Sequence, residues 1–162
     1  MRHILTFGQP VLRLISGGET LTIEATDGYK TIQQATDVFT YINMDCNHDF
    51  DEVNDPTPKI QVDIYNLEKD GVGFRDILGE DADFDKVYFT QGQVVSFVQK
   101  YKKRTWMGRY RYSLNFPFKS KGIRFLQEVY VFGEMVNTAH HLFDNRQKMV
   151  HLHPILFVLP QM

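Results

Sequence analysis

Residues Thr90–Phe118 read TQGQVVSFVQKYKKRTWMGRYRYSLNFPF, and the change of period inside this stretch decides the fold class. Thr90 and Gln93 have capping-box spacing, in which the threonine hydroxyl takes the amide three residues on and the glutamine carbonyl takes the threonine's own amide. Val94, Val95, Phe97, Val98 and Tyr101 follow at helical spacing, which predicts a helix over Gln91–Arg104. Beyond Gly108 the period shortens to two. Tyr110, Tyr112, Leu114, Phe116 and Phe118 alternate with Arg109, Arg111, Ser113 and Asn115, as a strand buried on one face requires. Pro117 has no amide to donate, so the strand is expected to end there or to run along a sheet edge.

Working outward, Lys119–Gly122 reads as a turn, Ile123–Phe132 as a second strand, Met135–Phe143 as a third and Lys148–Leu159 as a fourth. Upstream, Ile60, Val62 and Ile64 alternate with Gln61 and Asp63 as another half-buried strand. Ile32, Ala35, Val38, Phe39 and Ile42 fall on one helical stripe after Thr31 and Gln34, again at capping-box spacing, which predicts a helix from Thr31. Val11–Ile15 and Thr20–Ala25 flank Ser16-Gly17-Gly18-Glu19 as the arms of a hairpin. The expected fold is therefore α+β, a single domain over residues 1–162. It has a C-terminal antiparallel β-meander packed against one or two helices, and an N-terminal hairpin.

Composition agrees with a folded domain, at 162 residues with 43% apolar and 14% aromatic side chains. No run of about 18 apolar residues exists to form a helical membrane span, and Gly8, Gln9, Pro10 and Arg13 interrupt the start too early for a signal peptide. The single cysteine, Cys46, rules out an internal disulfide framework, and the protein is expected to be cytoplasmic.

The net charge of −2 hides a separation. Residues 1–98 carry 17 acidic and 7 basic side chains, whereas residues 99–162 carry 3 acidic and 11 basic. The acidic segment is 37–85. The basic one, 100–124, holds Lys100, Lys102, Lys103, Arg104, Arg109, Arg111, Lys119, Lys121 and Arg124 without one acid. Cations interleaved with aromatic rings suit single-stranded or structured nucleic acid, because cations follow phosphates while rings stack on bases. Alternation turns the strand's rings toward the core, which leaves Trp106 as the main candidate for stacking. Opposite charged segments equally suit docking on a protein partner or self-association.

His151 and His153 lie two apart in an expected strand, so both leave one face and define a candidate metal pair, with His141 as a third ligand and His140 or Asp144 as substitutes. Asp45, Asn47 and Asp49, like Asp81, Asp83 and Asp85, have the spacing of calcium-loop ligands. Phe50 and Lys86 stand where such a loop needs glycine. Cys46 beside His48 is surrounded by carboxylates, which oppose a reactive thiolate. No nucleophile elbow, phosphate loop or dinucleotide glycine pattern occurs, so no cofactor is expected and catalysis ranks third. The leading expectation is a binding or protein-interaction module, with nucleic-acid binding through the basic segment as the alternative.

Overall fold

The computed structural model describes residues 11–43, 52–73, 76–77, 86–104, 113–142 and 155–161. In chain order the strands are β1 (Leu12–Leu14), β2 (Leu21–Ile23), β3 (Tyr41–Ile42) and β4 (Ile60–Leu67), then, after helix α1 (Gln91–Tyr101), β5 (Ser113–Ser120), β6 (Ile123–Phe132), β7 (Met135–Leu142) and β8 (Ile155–Pro160). All eight join one mixed sheet in the order β1-β4-β8-β5-β6-β7-β3, with β2 also on β4. Strand takes 46% and helix 12% of the described residues, so the α+β expectation is corrected to a mostly β fold.

Helix α1 forms as its cap predicts. The Thr90 hydroxyl accepts from the Gln93 amide at 3.3 Å and the Gln93 side chain accepts from the Thr90 amide at 2.9 Å. Its apolar stripe lies on the inner face of the sheet, where Phe97 meets Phe116 edge-on with ring centroids 5.4 Å apart. Leu21, Ile23, Val62, Ile64, Leu114, Phe118, Phe125, Val129, Leu156 and Val158 complete this core. On the outer face a second cluster, with Val72, Ile77 and Val87 over Leu126, Phe157 and Leu159, covers the β4–β8–β5 side.

The helix expected from Thr31 does not form. Its capping pair is present, since Thr31 and Gln34 exchange side-chain-to-amide bonds of 3.3 and 3.4 Å, and Ile32, Ala35, Val38 and Phe39 are all buried. The backbone instead makes successive turns, closed by Ala35 N–H to the Ile32 carbonyl and Val38 N–H to the Ala35 carbonyl. Thr31, Ile32, Thr36, Asp37, Val38 and Thr40 are poor helix formers. The Gln91 side chain also takes the Ile32 amide at 3.0 Å.

The N-terminal hairpin is corrected as well. Both β1 and β2 run antiparallel to β4, with Leu14 opposite Tyr65 and Leu21 opposite Val62. They are two pieces of one edge strand, interrupted by an outward loop where seven steps of chain oppose three of β4. Ser16 holds the interruption: its hydroxyl accepts the buried Ile64 amide at 2.9 Å, and its carbonyl accepts from Glu19 N–H.

Strands β5, β6 and β7 form the expected antiparallel meander. The fourth strand leaves it. β8 inserts between β4, antiparallel, and β5, parallel. Leu156, Phe157, Val158 and Leu159 are all buried, and an unbroken apolar run buried on both faces belongs in the middle of a sheet. Pro117 sits just past the last β5–β8 pairing at Asn115, where its carbonyl accepts from Phe89 N–H and no amide is needed.

Candidate binding site

Helix α1 crosses the inner face of the sheet from β5 to β2, with Phe97 on Phe116 and Tyr101 at Thr22. Its eleven residues at about 1.5 Å each span roughly 16 Å. It starts beside the β5–β6 turn, where Phe89 bridges to Phe118, and its last residue, Tyr101, meets Thr22 of β2. Beyond the helix end, the 36–42 segment and the β6–β7 turn enclose a cleft of about 950 Å³. Phe39, Ile42, Val131 and Val136 form its apolar floor. Lys102, Lys103 and Arg104 line the helix side, Asp37 the turn segment and Glu134 the β6–β7 turn.

Charge at the mouth is unevenly spent. Arg104 pairs with Glu19. Asp37 pairs with Lys30 at 2.9 Å, and that bond holds its carboxyl below the usual range. Lys102 also draws the Asp37 carboxyl down through space, while among the described residues Lys103 on one lip, and Glu134 on the other, form no ion pair or side-chain hydrogen bond. The helix-side lip is thus cationic and the hairpin lip anionic, over an apolar floor.

The basic residues of 100–124 do not share one surface. Lys100 donates to Thr22 Oγ1 at 2.7 Å and to Glu24 Oε1 at 2.6 Å. With Lys59 also 3.2 Å away, the Glu24 carboxyl is lowered to about 2, first by the Lys100 bond and then by Lys59. Lys119, Lys121 and Arg124 lie at the β5–β6 turn, the far end of β6 from the cleft. There Lys121 and Gly122 both have positive φ, 48° and 74°, as a two-residue hairpin turn requires. Glu52 caps that turn, accepting from Ser120 Oγ at 3.0 Å and from the Lys121 amide. Arg124 stacks over Tyr88, 5.7 Å from the ring centre. The acidic and basic segments therefore meet within the fold at Glu52. Trp106, Arg109 and Arg111 lie outside the described residues.

Of the metal candidates, His141 is held by Glu128 at 2.9 Å on the outer face of the sheet. His140 faces inward against Phe125, with ring centres 5.8 Å apart, so the neighbouring histidines point away from each other. His151 and His153 lie outside the described residues, as do Cys46, His48 and both calcium-like spacings. Among the described residues no group of three or more His, Cys, Asp or Glu is placed to hold a metal, and no helix is long and apolar enough to cross a membrane.

Sequence reading missed the cleft floor. Phe39, Ile42, Val131 and Val136 carry the ordinary signal of core positions, and only the meeting of the 36–42 segment, the helix end and the β6–β7 turn around one cleft singles them out. Glu134 gave no signal in the sequence, because its role depends on standing across from Lys102 and Lys103. Comparison of the chain with family models, with curated proteins and with solved structures found no match in any of the three.

Proposed function

We propose that this chain is a cytoplasmic binding module that engages a protein partner through the cleft at the end of helix α1. The observation that carries the reading is the pairing pattern. Lys30, Lys59, Lys100 and Arg104 are each tied to a carboxylate, whereas among the described residues Lys103 has no ion pair and Lys102 acts on Asp37 only through space, both beside an apolar floor. A concave apolar surface with a few converging charges is the common form of a recognition site. A single cysteine in 162 residues supports the cytoplasmic assignment. Nucleic acid is the less favoured partner, because the described cations divide between the two ends of β6 and offer no continuous phosphate track.

The test is selection of a random peptide library displayed against the folded chain. Binders are expected whose affinity falls in the double variant Lys102→Glu/Lys103→Glu, with circular dichroism unchanged. An empty selection, or binders indifferent to that variant, would overturn the reading.

A further inference from the structure

We infer that the cleft takes a segment of the partner with a fixed order of chemistry: carboxylates on one flank, an apolar side chain in the middle and a basic side chain on the other flank. This deepens the proposed function and rests on it. The order follows from the lips. Lys102 and Lys103 continue from the C-terminal end of α1, Glu134 stands on the β6–β7 turn, and Val131 and Val136, the facing pair just inside that turn, line the same cleft with Ile42. The other charges at the mouth are already engaged, Asp37 by the Lys30 bond and more weakly by Lys102, and Arg104 by Glu19, so they add little further selectivity.

Each lip discriminates mainly by repulsion. An acidic segment laid in the reverse direction brings its carboxylates against Glu134 and its basic residue against the two lysines, and like charges across an interface select against the wrong partner. The apolar side chain supplies affinity by leaving water against the floor. The charges set direction and register. Because all three are solvent-accessible, their effect weakens with salt, while the apolar contribution persists.

The experiment compares peptides selected on the native chain with those selected on Glu134→Lys and on the milder Glu134→Gln. The native chain should enrich Asp or Glu on one side of an apolar residue and Lys or Arg on the other. Glu134→Gln should remove the basic preference, and Glu134→Lys should replace it with an acidic one. Binders from the native chain should lose about tenfold in affinity when Lys102 and Lys103 are both reversed to Glu. Cleft-dependent binders with no charge order would overturn this inference and leave the proposed function standing. Binders indifferent to Lys102→Glu/Lys103→Glu would overturn both. A mixed-sequence 20-nucleotide RNA that binds more tightly than any selected peptide, and is lost in the same double variant, would also overturn both.

Discussion

The backbone amide of Thr22 donates to the hydroxyl of Tyr101 across 3.0 Å, tying the last residue of helix α1 to the edge strand β2. Thr22 is the middle residue of β2, and its amide points away from β4, where an open sheet edge would invite another chain. Tyr101 closes that position while its ring packs against Phe97, centroids 4.7 Å apart. Tyr101→Phe keeps the ring and removes the hydroxyl, which Lys100 also approaches. Urea unfolding is expected to show a loss of about 1 kcal/mol, the worth of one such bond. An unchanged midpoint would remove this contact from the account of the edge.

Ser16 is the hinge of the interrupted strand. Its hydroxyl is the partner of the Ile64 amide at a buried position, so Ser16→Ala leaves a donor unmet. The expected cost is about 1–3 kcal/mol. Gly17→Ala serves as a control, because a Cβ there meets nothing nearer than the Leu14 side chain at 3.7 Å.

Gly28 marks where two loops touch. At φ 83° an added Cβ would lie 1.9 Å from the Asn54 carbonyl oxygen, while the Gly28 carbonyl already accepts from Asn54 N–H at 3.0 Å. Gly28→Ala combines a backbone clash with left-handed strain and should cost at least about 2 kcal/mol. Thermal unfolding of this variant beside Gly18→Ala, which shares the positive φ without the clash, separates the two causes.

Glu128 and His141 form a pH-sensitive pair. The bond to Glu128 raises His141 above its ordinary 6.5, and the bond to His141 lowers Glu128 below its ordinary 4.5 against the opposing effect of burial. The histidine's contribution to stability is complete below pH 6.5 and is lost as pH rises through its folded-state value. The glutamate's is complete above pH 4.5 and is lost as pH falls through its own. The pair is therefore strongest between those limits. In an NMR titration Glu128→Gln should lower the His141 midpoint, and an unmoved midpoint would show that the pair is not formed in solution.

The Glu24 carboxyl should titrate near 2 in the folded chain, and Lys100→Met should raise that midpoint more than Lys59→Met does. Equal effects would contradict the ranking of the two bonds. Carbon-detected NMR of the carboxyl reads both.

Much of this architecture was legible residue by residue. The capping box at Thr90, the alternation through Leu114, Phe116 and Phe118 and the meander to β7 are local patterns, and local patterns are set by helix and strand periods. The stripe Ile32, Ala35, Val38 and Phe39 was legible as a buried face although its backbone turns instead of coiling. Periodicity reports which side chains leave water, and several backbone paths satisfy the same burial.

Sequence by itself determined the inward-facing residues, the start of α1 and the opposition of the acidic and basic segments. Only the tertiary structure decided that β8 lies between β4 and β5, that β1 and β2 form one broken edge, and that the basic segment divides between the two ends of β6. The reason is distance along the chain. Ile32 finds the partner for its amide 59 residues away in Gln91, and Lys121 finds its cap 69 residues back in Glu52. The cleft itself lies among Phe39, Lys102 and Val136, which meet only once the turn segment, the helix end and the β6–β7 hairpin are packed together.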